Sequence, residues 1–280
     1  MKRYSRYISI LNLQWKYSFK ELILIIAGMA AAQLLLLYRT VEKTVAQYVP
    51  GAVLTELDEA LGAENLQGIR FEDLMDKSYW AIIFGVALML VVGLIYAAPI
   101  RQSRGADSWS TWRRLPVARA GLIAAVTFQG MCCILMLWAA QLGTVFAGYL
   151  IYLDRIPTAN RMYSALFLAF VRLDFLRGIF PVTSPERMAG LWVLMLVLCL
   201  AAVCSSWGVD RKLRWGEVFP LFYGVFLSMT VLTAPSDGIV IVGVLMLALG
   251  MGWITVRLYH ILKGQERTED GIEKQDAAAD

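Results

Sequence analysis

From Gly121 to Leu153 the chain runs for 33 residues without a single Asp, Glu, Lys or Arg. Few environments accept such a run. A bilayer core of ~30 Å takes up about 20 apolar residues of α-helix, and backbone inside it must be hydrogen-bonded within the element, which selects helices or closed barrels. Further apolar stretches at 22–38, 79–100, 188–207, 218–234 and 238–257 have helical length. The expected fold is therefore all-α, a polytopic transmembrane helix bundle of about six spans. Composition agrees: 59% of the 280 residues are hydrophobic and 17% charged, below the ~25% charged residues of a soluble domain.

The boundaries follow from the charges. Residues 1–21 form an expected interfacial helix, 22–262 the transmembrane domain, and 263–280 a polar tail. Within 4–20, Tyr4, Ile8, Leu11 and Trp15 share one helical face, and Ser5, Ser9, Asn12, Lys16 and Lys20 share the other. That pattern suits a helix lying in an anionic membrane surface. The run ending Leu-Leu-Leu-Leu-Tyr38-Arg39 has no small-residue cleavage site, so the first span is expected to be retained rather than removed as a signal peptide.

Lys and Arg counts set the orientation, because basic residues stay on the cytoplasmic side. Residues 1–20 carry five basic and no acidic groups, 101–119 carry five Arg against Asp107, and 208–217 adds Arg211, Lys212 and Arg214. Six spans place these segments and both termini in the cytoplasm. The net charge of +4 is thereby an orientation signal, with no nucleic-acid partner implied. The outer side then holds loop 39–78, with eight acidic and four basic residues, and segment 154–187, with five Arg and three acidic residues.

Two places strain this map. Met162–Phe180 is apolar enough to resemble a span, but Arg172, Asp174 and Arg177 would each cost ~2.5–3.5 kcal/mol in hydrocarbon unless paired. An interfacial or re-entrant helix avoids most of that cost. The stretch 120–153 would reach roughly 50 Å as one helix, so it either projects outward or breaks near Gly143 or Gly148, which could create a seventh crossing.

Chemistry is sparse. His260 is the single histidine and lies beyond the last span; there is no His-Glu-x-x-His zinc motif, no carboxylate pair within a span and no base beside Ser205 or Ser206. Cys132, Cys133, Cys199 and Cys204 lie inside apolar runs and read as packing residues, so neither metal nor disulfide is expected. The phosphate-binding Gly-x-x-x-x-Gly-Lys-Ser/Thr loop is missing, so no ATPase activity is expected of this chain. Polar residues in the spans are neutral. Gln33, Gln129 and Gln141 are the candidates for a pathway or for interhelical hydrogen bonds.

The most informative segment is 101–119. Ser108 or Ser110 can cap a short helix, Trp109 and Trp112 share a face, and Leu115-Pro116 turns the chain into the third span. The string Thr111-Trp112-Arg113-Arg114-Leu115-Pro116-Val117-Ala118-Arg119 resembles the Leu-Pro-Val-Ser-Arg type of motif in permease subunits of type-2 ABC exporters. The resemblance extends to the helix before span one, the six-span count and the absent nucleotide site. It implies that Trp109, Trp112, Arg113, Arg114, Leu115, Pro116 and Arg119 belong to a coupling helix that docks on a separate cytoplasmic ABC ATPase. It also implies ATP use through that partner alone, a second copy or homologous permease beside this chain, and a plasma membrane, bacterial by expectation. The alternative is a non-transporting membrane scaffold, sensor or immunity protein. Its outer loop, with Glu56, Asp58, Glu59, Glu64, Glu72, Asp73 and Asp76, would bind a cationic partner.

Overall fold

The computed structural model describes residues 2–48, 69–101, 119–156, 162, 164–181 and 185–207, with 252, 256 and 259 as isolated helical positions. Every regular element among them is helical: α1 (Lys2–Tyr48), α2 (Phe71–Lys77), α3 (Trp80–Arg101), α4 (Arg119–Arg155), α5 (Ala165–Arg172), α6 (Asp174–Ile179) and α7 (Pro185–Trp207). Four of these, α1, α3, α4 and α7, are long and apolar enough to cross a membrane. Helices α3, α4 and α7 lie within a few residues of the expected spans 79–100, 120–153 and 188–207, and α1 contains the expected span 22–38. The expected spans 218–234 and 238–257 lie outside the described residues.

Three helices sharpen the reading of the sequence. Residues 2–48 form one 47-residue helix with no interruption at 21–22, so the amphipathic segment and the first span are continuous. Helix α4 also runs unbroken for 37 residues, about 55 Å at the ordinary rise. The break considered near Gly143 or Gly148 is absent, and with it the seventh crossing there. Within 154–187 the structure forms α5 of 8 residues and α6 of 6, about 12 and 9 Å long, too short to cross.

Two contacts fix the relation of α1 to α4. Gln129 donates a 2.9 Å hydrogen bond to Ser18 Oγ, and 19 residues further along both helices Leu37 packs on Gly148. The two helices thus run parallel and keep one register over about 28 Å. Helix α3 runs antiparallel between them, with Trp80 beside Gly148 and Ile95 beside Gly130. Helix α7 joins at Gly130 through Cys199.

These two glycines explain why the helices approach so closely. A Cβ added at Gly148 would lie 2.9 Å from Leu37 Cδ2 and 3.1 Å from the Trp80 ring, and one at Gly130 would lie 3.2 Å from both Cys199 Sγ and Ile95 Cδ1. Small residues at such points let backbones come together, the dominant packing device where lipid removes the hydrophobic drive between helices. The core is then filled by Leu22, Met29, Leu37, Phe84, Val91, Ile134, Leu137 and Leu198. Leu24, Ile82, Phe128 and Leu150 are exposed in the isolated chain, as lipid-facing side chains should be.

At the end away from Arg101 and Arg119, helix α2 caps the bundle. Glu72 and Asp73 in its first turn and Lys77 in its last match the helix dipole. Its carbonyls at Leu74 and Met75 accept hydrogen bonds from Ser78 N and Ser78 Oγ, which close the helix. Tyr79 then takes a left-handed backbone (φ 57°), unusual for an aromatic residue, and reverses the chain into α3. Phe71 fixes α2 to the bundle by edge contacts with Tyr149 and Tyr152 of α4.

The α5–α6 segment is inserted beside the bundle rather than laid over its end. Phe175 meets Phe84 of α3, and Phe180 meets Trp138 of α4, about 15 Å along α4 from Gly148. Ala165, Ala169, Leu176 and Ile179 are fully buried. Neither α5 nor α6 is long enough to span, and both pack on the flanks of α3 and α4. Helix α7 follows with Pro185 at its first position, where its missing N–H removes no intrahelical bond.

Candidate functional site

The residues 101–119 connect α3 to α4, two antiparallel neighbours, at the end of the bundle opposite α2. Arg119 is the first residue of α4. Trp109, Trp112, Arg113, Arg114, Leu115 and Pro116 lie outside the described residues.

The three candidate amides are all buried, and the fold does not gather them into one site. Gln129 lies at the level of Ser18, beside a small void of about 10 Å³ bordered by Ile95, Gly130 and Cys133. That space is at the lower limit for one water. Gln33 donates to the carbonyl of Trp80 at 3.3 Å, and its Oε1 has no partner. Gln141 is fully buried, and neither its Nε2 nor its Oε1 is hydrogen-bonded. Along α4, Gln141 follows Gly130 by 11 residues and precedes Gly148 by 7, so all three share one face. By the α1–α4 register Gln33 sits level with Thr144, one turn from Gln141. Two incompletely satisfied amides therefore occupy neighbouring levels of the apolar interior, which is costly unless something pairs them.

A second candidate lies at the capped end. Tyr152, near the end of α4, donates a 2.7 Å hydrogen bond to the carbonyl of Ile69 and accepts a 3.1 Å bond from Met162 N. One hydroxyl thus joins the segment leading into α2 and the segment leading into α5. Across the same junction Arg172 Nη1 lies 3.3 Å from Glu72 Oε1. This is longer than the ~2.7–2.9 Å of a tight charge-assisted bond. The Glu72 side chain is only 7% exposed, and its second oxygen, Oε2, has no partner.

Around this pair opens a cleft of about 430 Å³, bordered by Arg70, Glu72, Asp73, Asp76, Arg172 and Asp174, with Ala81, Leu173 and Phe175 as its apolar part. Three acidic residues of α2, Glu72, Asp73 and Asp76, are therefore brought together with Arg172 and Asp174 from about 100 residues away. The cost of placing Arg172 among apolar residues is offset by Glu72. That cost was readable from the sequence and signalled that a partner had to exist, but nothing local named it. Tyr152 gave no signal of its own, since a tyrosine at the end of an apolar run reads simply as an interface anchor.

Among the described residues no group of three acidic, histidine or cysteine side chains could hold a metal ion. Comparison with protein-family models, with characterised proteins and with solved structures finds no match to this chain.

Proposed function

We propose that this chain is the membrane-spanning permease subunit of an ABC exporter, coupling ATP hydrolysis by a separate cytoplasmic ATPase to export of a substrate. One observation carries the reading. The segment holding Trp112-Arg113-Arg114-Leu115-Pro116 joins two directly packed antiparallel helices, α3 and α4, at the end remote from the acidic cleft. A push on that segment has a stiff path into the bundle, because α4 touches α3 and α7 at Gly130, and α1 and α3 at Gly148. In this reading ATPase closure displaces Trp109 to Arg119, with Arg113 and Arg114 on an acidic groove of the ATPase and Trp109, Trp112 and Leu115 as apolar anchors.

Gentle solubilisation and co-purification test the reading. An ABC ATPase should accompany the wild-type protein, and Arg113→Glu with Arg114→Glu should release it and abolish export. If no ATPase accompanies the protein and the double variant still transports, the chain is not such a permease, and the scaffold, sensor or immunity reading takes its place.

A further inference from the structure

The charges on α1 and α7 do not fit one flat slab of lipid. On α1 the 17 residues between Glu21 and Arg39 carry no charge and rise about 26 Å, close to the ~30 Å of a hydrocarbon core. The α1–α4 register sets Arg39 level with Leu150 of α4. Helix α7 meets α4 where Cys199 lies beside Gly130, and it runs antiparallel to α4. Phe180 packs on Trp138, and the five residues from Phe180 to Pro185 reach at most about 18 Å. A parallel α7 would set Pro185 about 33 Å from the level of Trp138. Glu186 and Arg187 consequently stand level with Gly143 and Leu142 of α4, about 10–12 Å inside the boundary marked by Arg39.

Arg177 lies at similar depth, because α6 is held between the Phe175–Phe84 and Phe180–Trp138 contacts. Among the described residues none of Arg177, Glu186 and Arg187 forms an ion pair, and none is buried in the isolated chain. Unpaired charges facing hydrocarbon are expensive; arginine can snorkel, but the short stem of Glu186 has little reach. At the same depth α1 exposes the apolar Ala27, Ala31 and Leu35. Helices α1 and α7 each pack on both α3 and α4 rather than face to face, so they occupy opposite sides of that pair. Space already leads downward on the α7 side. The cleft of about 430 Å³ descends from Asp73 and Asp76 at the α2 end to Phe175, whose ring lies against Phe84.

We propose that a water-filled vestibule, open at the α2 end, enters the bundle on the α5–α6–α7 side and reaches Arg177, Glu186 and Arg187, whereas α1 meets lipid at the same depth. It solvates the three charges that would otherwise face hydrocarbon, and it admits small hydrophilic solutes to that level. The vestibule depends on the helix bundle alone, so it survives or fails apart from the permease reading.

The test is thiol labelling of the full-length protein in sealed vesicles with a charged, membrane-impermeant reagent added to one side and then the other. Arg177→Cys, Glu186→Cys and Arg187→Cys should react from the side that labels Asp76→Cys at the cleft mouth, within about tenfold of its rate. Ala31→Cys and Leu35→Cys should react at least about a hundredfold more slowly, since a thiol in hydrocarbon does not ionise. The native cysteines, three of them buried, give the background rate. Hydroxyl-radical footprinting of the wild-type protein in nanodiscs needs no substitution and covers variants that do not fold. Met188 on α7 and Met89 on α3 are equally exposed in the isolated chain, 42% and 40%, yet Met188 should be oxidised at least about tenfold faster because water reaches it. Four results overturn the proposal: thiols at 177, 186 and 187 as inert as those on α1, reaction only from the side opposite Asp76→Cys, α1 thiols as reactive as the rest, or equal oxidation of the two methionines.

Discussion

The hydroxyl of Tyr152 lies 2.7 Å from the carbonyl oxygen of Ile69, a residue 83 positions earlier in the chain. The same oxygen accepts from Met162 N, so a single atom closes two separate segments onto the end of α4. Tyr152→Phe keeps the ring contacts with Phe71 and Tyr149 while removing both bonds. The expected cost is about 1–3 kcal/mol, from two backbone groups left without partners. Hydrogen exchange should quicken in 69–77 and 162–172 and stay unchanged at the centres of α3 and α4. Uniform exchange across all four long helices would show that the hydroxyl does not act as this staple.

The Gly148 contact gives a graded series. Alanine there requires Leu37 Cδ2 to move, and valine also presses on the Trp80 ring. Overpacking of this kind costs about 1–3 kcal/mol. Thermal unfolding in detergent should therefore rank wild type above Gly148→Ala above Gly148→Val. Leu37→Val should partly restore Gly148→Ala, because the neighbouring substitutions are coupled. Equal stability of all variants would mean that α1 does not pack on α4 at this point.

Gln141 sets up a different comparison. Its amide is fully buried with both polar atoms unpaired. Gln141→Leu removes that penalty and should stabilise the protein by about 1–2 kcal/mol. If the amide belongs to a transport pathway, export falls while the melting temperature rises. A variant that is destabilised would indicate that Gln141 has partners, for instance Gln33 one turn away.

For the ion pair, order matters more than the total. Arg172→Gln leaves Glu72 buried and uncompensated, whereas the double substitution Arg172→Gln with Glu72→Gln removes both charges. Breaking one side of a buried pair costs up to about 3–5 kcal/mol, and less here because Arg172 is half exposed. The single Arg172 variant should therefore be less stable than the double variant by urea or thermal unfolding. The opposite order would place the Glu72 carboxylate in water.

Much of this architecture could be read from residue types, because apolar length and missing charge act locally. The four long helices match the uncharged runs within a few residues at most ends. What could not be read is where two distant segments meet. A glycine that breaks a helix and a glycine that admits a neighbour look alike in sequence. Gly148 proved to be the second kind, with Leu37 and Trp80 filling the space a side chain would take. Arg172 announced a need for compensation without naming Glu72. The continuity of α1 through residue 21 was also hidden, since surface and spanning segments differ in environment rather than in backbone conformation.

The parallel register of α1 and α4 has a consequence for biogenesis. Ser18 meets Gln129, and Leu37 meets Gly148, each pair 111 positions apart in the chain. At synthesis rates of about 5–20 residues per second, roughly 5–20 s pass between the emergence of α1 and that of its main partner. During that interval the contacts of α1 with α4 are not yet made. Helix α3 arrives first and offers Trp80 to Gln33, so the early α1–α3 pair is the template on which α4 later docks. A nascent chain halted before residue 129 is accordingly the form most exposed to membrane quality control.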